Sequence, residues 1–282
     1  MDPIIDTHAH LCDADFDTDL SQVLVRARTS GISAIIAVGE TLEDAQKNLI
    51  LAQQFSIIRP AAGLYPTHLN SDEADRMVSF IRENRGKLWA IGEVGLDYWK
   101  VKGEADRARQ RRIFGRFIDL SLELNLPLNV HSRSAGRHAV RLLLDRKATR
   151  VQLHAFDGKA PAALPGVEAG YFFSIPPSVI RSTQKQKLVR RLPLANLLVE
   201  TDSPVLGPDP RQRNEPANIR QAVRAIAQLK SRSEEEVVRA LFRNTQRLYG
   251  DGIWGPFGKN ENPGLRVDSP CCNQSTGISD LG

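Results

Sequence analysis

"IIDTHAHLCD", residues 4–13, opens the chain with the pattern that decides its fold. A short apolar run ends in two histidines, His8 and His10, spaced by one residue, with Asp6 just before them. The run reads as a strand over 3–8. Side chains alternate along a strand, so residues i and i+2 share a face. His8 and His10 then stand together at the strand end. Similar apolar runs recur at 33–39, 57–66, 88–97, 126–132, 150–156, 170–175 and 196–202. Helical patterns separate most of them. The pattern at 17–31 stops at Gly31, and that at 41–55 starts at Thr41 with acidic residues in its first turn, as helix ends favour. Others lie at 72–86, around 106–125, and near 135–147, 178–191 and 217–230. A Pro-rich, weakly helical stretch follows the sixth run. A last helix, 231–250, begins with a capping box from Ser233 to Glu236.

Strands alternating with helices predict a parallel sheet. Eight strands is the number that closes a (β/α)8 TIM-type barrel, with a doubly wound open sheet as the alternative. The barrel is assigned to 1–249. Residues 250–282, "GDGIWGPFGKNENPGLRVDSPCCNQSTGISDLG", lack apolar periodicity and read as an irregular, disordered tail.

Composition agrees with a soluble globular protein: 282 residues, 41% apolar and 25% charged. The net charge of +5 favours anionic partners only weakly. Three cysteines, Cys12, Cys271 and Cys272, make no disulfide framework, so a reducing compartment is expected. No apolar run approaches ~20 residues and no signal pattern opens the chain, so no membrane contact is expected. The expected location is intracellular, in nucleus or cytoplasm, with no obligate protein partner.

Barrel enzymes of this kind work at the C-terminal ends of their strands. The first strand end carries His8 and His10, and the third leads to His68. The fourth carries Glu93 and then Asp97, the fifth His131, the sixth His154 and the eighth Asp202. Five of the six histidines fall there, and His138 alone lies in a predicted helix. One HxH pair is weak. Four imidazoles and two carboxylates converging from separate strands are hard to explain as packing, because Glu and Asp are almost never buried without a partner or a metal. His8, His10, Glu93, His131, His154 and Asp202 exceed the needs of one tetrahedral ion. Two divalent cations about 3.5–4 Å apart would use them all, with Glu93 as bridge. Such a pair activates water against a phosphoryl or carbonyl centre. Four imidazoles favour Zn²⁺ or Mn²⁺ over Mg²⁺.

The blocks "DTHAHL", "GEVGLD", "LPLNVHSR", "LHAF" and "VETDSP", with the later "RNEP", resemble the ordered signature of the TatD family over about residues 3–249. The resemblance implies a metal-dependent deoxyribonuclease on an amidohydrolase-like barrel, with single-stranded or abasic DNA as substrate. It implies that His8, His10, Glu93 and Asp202 hold one metal, and Glu93, His131 and His154 the second. It also implies 3′-to-5′ exonuclease action, cleavage at abasic sites, and activity with Mg²⁺ or Mn²⁺. Two departures stand out. Tyr65 replaces a histidine that many members carry before the proline of the third strand's loop, and the tail does not match.

Roles follow, each beside its plainer alternative. Asp202 is a ligand that could also take a proton from water, or a turn aspartate before Pro204. His68 and Arg133 are candidate phosphate contacts, or exposed loop residues. Asp97 and Asp6 could orient ligands, or serve turns. Arg211 and Arg213 could extend a basic rim, or be solvated. Tyr65, Tyr98 and Trp99 could stack on a base, although packing is the favoured reading; Trp89 and Phe117 read as core. The charged stretches 107–112 and 181–191 read as solvated helix faces. Two other functions remain: a small-molecule amide or cyclic-amide hydrolase, and a non-catalytic binding barrel. Glu93 counts against the amide reading, since many of those enzymes bridge their metals with a carboxylated lysine.

Overall fold

The computed structural model describes residues 2–254. Its strands are β1 (Ile4–Ala9), β2 (Ile32–Ala37), β3 (Ile58–Ala62), β4 (Ala90–Gly95), β5 (Leu128–His131), β6 (Val151–Leu153), β7 (Phe172–Ile175) and β8 (Leu197–Val199). They form one parallel sheet in sequence order, β1 through β8, each paired with the next. A doubly wound sheet would reverse its order at a switch point; this one does not. The barrel closes just past the last strand. Asp202 donates its N–H to His8 O at 2.9 Å, and His10 donates to Ser203 O at 2.8 Å. The hydroxyl of Thr7 donates to Val199 O at 3.0 Å. Closure and the candidate ligands therefore share the same few residues.

Helices α1 (Leu20–Thr29), α2 (Leu42–Gln54), α3 (Ser71–Glu83), α4 (Glu104–Leu124), α5 (Gly136–Asp145), α6 (Ala160–Glu168), α7 (Thr183–Arg191), α8 (Ile219–Lys230) and α9 (Glu234–Tyr249) surround the barrel. Their starts are chemically marked. Thr41 and Ser233 form capping boxes with Asp44 and Glu236, and such a cap stabilises by about 1 kcal/mol. The helix expected from 178 starts later. Pro177–Ile180 forms a 3₁₀ turn first, and α7 begins after its N-cap Ser182. The Pro-rich stretch contains a true helix, α6, which carries Pro165 inside it.

Most of the core lies between sheet and helices, and includes Phe117. A second apolar cluster gathers Ile5, Ile36, Phe172 and Leu198 of the strands with Trp89, Leu248, Tyr249 and Ile253. The chain beyond α9 joins this cluster. Asp251–Trp254 forms a 3₁₀ turn, and the carbonyl of buried Ile253 accepts from Arg59 Nε at 2.7 Å. The first residues assigned to the tail are therefore packed on the barrel; the rest of the expected tail lies outside the described residues. Among the described residues no helix is long and apolar enough to cross a membrane.

Candidate active site

Six side chains meet where the strands end. Glu93 sits at the centre and points its two oxygens in different directions. Its Oε1 lies 2.5 Å from His131 Nδ1 and 2.7 Å from His154 Nε2. Its Oε2 lies 3.3 Å from His10 Nε2 and 3.9 Å from His8 Nε2. Asp202 Oδ1 is 3.3 Å from His8 Nε2 and 3.4 Å from His10 Nε2. The rings of His8 and His154 stack with centroids 3.9 Å apart. All six residues predicted as ligands are thus brought together.

The outer nitrogens of two rings are already engaged, and this fixes what the inner ones offer. Asn129 donates Nδ2–H to Thr7 O at 2.9 Å, which turns its carbonyl oxygen toward His8 Nδ1 at 2.8 Å. His8 therefore donates from Nδ1, and in the neutral ring Nε2 carries a lone pair. His131 places Nε2 3.3 Å from Asp97 Oδ2, leaving its Nδ1 lone pair toward Glu93. Inside the cluster, nitrogen faces nitrogen at 3.2 Å (His8 and His10) and 3.1 Å (His131 and His154), with carboxylate oxygens alongside. His154 Nδ1 is buried without a hydrogen-bond partner. Lone pairs converging on lone pairs in a buried place require protons or metal cations between them.

Protons fill part of that need in the metal-free chain. Burial opposes a charge on His131, yet the Glu93 carboxylate beside it lifts its pKa to about 9. Burial likewise opposes ionised Glu93, but the imidazoles of His154 and His131 hold it well below the usual carboxylate range. Three overlapping sets bring single donor atoms within 4.8 Å of one another: His8, His10 and Glu93; Glu93, His131 and His154; His8, His154 and Asp202. Imidazole and carboxylate donors in such sets fit divalent transition metals.

Several features hold the cluster in place. Asp6 does not touch an imidazole. Its carboxylate accepts from Thr201 N at 2.9 Å and Thr201 Oγ1 at 2.5 Å, pinning the segment that presents Asp202. Asp97 is the orienting residue, and Tyr65 supports it by donating its hydroxyl to Asp97 Oδ2 at 3.2 Å. Gly95 is required by close approach: a Cβ there would lie 2.1 Å from His131 O. Ser134, Ala155, Asp202 and Leu206 adopt positive φ of 53°, 40°, 54° and 50°. Each such residue costs on the order of 1–3 kcal/mol, and all four lie in loops at this end of the barrel.

A cavity of about 510 Å³ opens over the cluster, lined among others by His10, Tyr65, Glu93, His131, His154 and Asp202. Arg133 and Lys185 also line it. Lys185 belongs to the stretch read as a solvated helix face, and here the structure differs. Its ammonium turns inward and donates to Ala155 O at 2.9 Å. The adjoining Ser182 cap fixes the helix start so that this position faces the barrel mouth. The structure does not bring His68 to the cavity. Its Nδ1 lies 3.1 Å from Glu73 Oε2 instead, because α3 begins just beyond it. Arg211 pairs with Asp209 and Arg213 with Asp19, so neither is a free rim cation. Tyr65 and Tyr98 are buried, as packing residues are, whereas Trp99 is exposed.

Asn129, Gln152 and Glu200 were absent from the predicted set, yet each lies two residues before a cluster residue (His131, His154 and Asp202) on β5, β6 or just past β8. The signal was a polar side chain inside an apolar run, on the same face as the ligand.

Comparison with known proteins shows the family. Residues 5–250 match the family model of TatD related DNase. The human protein "Deoxyribonuclease TATDN3" is 44% identical over 259 residues, covering 87% of this chain and 94% of its own. YabD of Bacillus subtilis strain 168, described as a metal-dependent hydrolase, is 32% identical over 254 residues, covering 87% of this chain and 98% of its own. The crystal structure of YJJV, a TatD homolog from Escherichia coli K12, superposes with a TM-score of 0.81 at 27% identity, covering 88% of this chain and 98% of that one. The chain belongs to the TatD-related DNase family of metal-dependent hydrolases.

Proposed function

We propose that this enzyme hydrolyses DNA phosphodiesters with two divalent cations, one held by His8, His10, Glu93 and Asp202, the other by Glu93, His131 and His154. The observation that carries this reading is the division of Glu93, whose Oε1 faces one histidine pair and whose Oε2 faces the other. When bound, two such cations acidify a water and offset the charge growing on the phosphoryl oxygens. The remaining chemistry belongs to the chain. In the metal-free chain burial opposes ionisation of Asp202, but hydrogen bonds from His10 and His8 hold its carboxyl far below the ordinary range. With metals bound, Asp202 is the chain's candidate acceptor for the proton of the attacking water. Arg133 and Lys185 supply positive charge in the cavity wall for the non-bridging phosphate oxygens. His68 has no part in this set, since its imidazole faces Glu73.

The cavity volume is that of a small-ligand pocket, which suits a strand end, an unpaired nucleotide or an abasic position better than intact duplex. This supports 3′-to-5′ exonuclease action with abasic-site cleavage on single-stranded or damaged DNA. Mg²⁺ or Mn²⁺ is the proposed catalytic metal, with Zn²⁺ a tight competitor at four imidazoles. The proposed location is inside the cell, in nucleus or cytoplasm. The test is cleavage of single-stranded and abasic DNA with Mn²⁺ or Mg²⁺, with and without chelator. Metal-dependent release of nucleotides is expected. Absence of release from both substrates overturns the reading, and a parallel panel of amides and cyclic amides identifies the alternative.

A further inference from the structure

We propose that Trp99 and Arg133 form a stacking subsite at the cavity rim for an unpaired nucleobase of the bound strand; this rests on the DNA-hydrolase reading above. Six large hydrophobic side chains are exposed among the described residues, and Trp99, at 52%, is the one aromatic. A single exposed apolar residue needs no explanation by itself. Its company is what matters here. The guanidinium of Arg133 lies 3.8 Å from the centre of the Trp99 ring, and Arg133 also lines the cavity over Glu93 and Asp202. No carboxylate pairs with Arg133 among the described residues, whereas Arg211 pairs with Asp209 and Arg213 with Asp19. An indole and a guanidinium without a carboxylate partner, in contact beside this cavity, suit the planar face and the charge of a nucleotide.

The pair is also tied to the cluster. Asp97 Oδ1 accepts the backbone N–H groups of Trp99 at 2.9 Å and Lys100 at 2.7 Å, while Oδ2 faces His131. Trp99 follows Asp97 by two residues, and Arg133 follows His131 by two. Tyr98 N–H donates to Arg133 O at 2.9 Å, joining the two loops. One carboxylate thus anchors both the His131 ring and the backbone that carries Trp99, which ties the platform to the ligand cluster. Every base has a π-face, so such a platform tolerates sequence but requires a base free of its duplex partners. It selects single-stranded ends over paired ones.

The experiment uses the full chain with Mn²⁺ and a single-stranded oligonucleotide, comparing wild type, Trp99→Ala and Trp99→Phe. Loss of one stacked base raises KM on the order of tenfold, with kcat nearly unchanged, and Trp99→Phe recovers most of the loss. On a strand whose terminal nucleotides are base-free tetrahydrofuran residues, the gap between wild type and Trp99→Ala closes. A second reading, the affinity of chelated protein for a labelled oligonucleotide, shows the same order without turnover. Equal KM and equal affinity in wild type and Trp99→Ala overturn the subsite, as does an equal loss on base-free strands. Absence of cleavage by wild type contradicts the hydrolase reading instead, and the binding measurement then still decides the role of Trp99.

Discussion

Two polar layers lie inside this barrel, two residues apart along β5, β6 and the end of β8. The lower layer holds Asn129, Gln152 and Glu200 with Thr7, Ser174 and Tyr249. The upper holds His131, His154 and Asp202 with His8, His10 and Glu93. Both are buried except for half-buried His10, so burial alone separates nothing. The lower layer satisfies itself. Gln152 Nε2 donates to Thr7 Oγ1 at 3.0 Å and Ser174 Oγ at 2.9 Å, and its Oε1 accepts from Tyr249 at 2.7 Å. Ser174 and the Ala155 N–H donate to the two oxygens of Glu200 at 2.5 and 2.7 Å. Donors meet acceptors there, as stable buried networks require. In the upper layer ring nitrogens face each other beside carboxylates, and only added protons or metal cations complete it. A buried polar cluster marks a site when its own protons cannot balance it.

Substitutions break this contrast in order of size. Glu93→Ala removes the one carboxylate that both histidine pairs share. Metal content is expected to fall below one ion per chain and DNA cleavage by at least about a thousandfold, read by elemental analysis and initial rates.

In the lower layer the expected effect is on stability. Burial raises the pKa of Glu200 to about 7, against 4.5 for its ordinary value. The folded chain then holds a proton that the unfolded chain has released, so this group's contribution falls as pH rises from about 4.5 to about 7. Glu200→Gln has no such loss. In chelated protein, the stability of wild type relative to Glu200→Gln should drop by about 2–3 kcal/mol between pH 4.5 and 8, read by denaturant unfolding. A pH-independent difference would contradict a carboxyl raised by burial.

Beyond the end of β4, Asp97→Asn weakens the hold on His131 without removing a ligand. A loss of about 10–100-fold in metal affinity or activity is expected, measured by metal titration. The smallest effect is that of Ser174→Ala, which leaves Gln152 and Glu200 each short of one partner. It should cost about 1–3 kcal/mol of stability while metal content stays that of wild type. Loss of metal in this variant would erase the distinction between the layers.

The upper layer was legible from sequence because four of its six residues are histidines, a rare type here, and the polar residues fall at the ends of apolar runs. His8, His131 and Asp202 stand where a strand pattern stops. Strand number carried the barrel as well, since eight alternating units leave few other closures. Lys185 was hidden by its neighbours: five of residues 181–191 are Lys or Arg, and only the Ser182 cap decides which of them turns inward. His68 failed in the opposite way. It has the right residue type in the right loop, but Glu73 in the first turn of α3 takes its imidazole. Trp99 was legible only as one of three loop aromatics, with Tyr65 and Tyr98, for which packing was the favoured reading; which of them is exposed depends on how the loop after β4 folds back on Asp97.

Titration of chelator-stripped protein with Mn²⁺ by calorimetry tests the upper layer most directly. A two-ion site shared by Glu93 predicts two equivalents bound to wild type and to Ser174→Ala, and fewer than one to Glu93→Ala. Absence of saturable binding by wild type, or unchanged binding by Glu93→Ala, would contradict it.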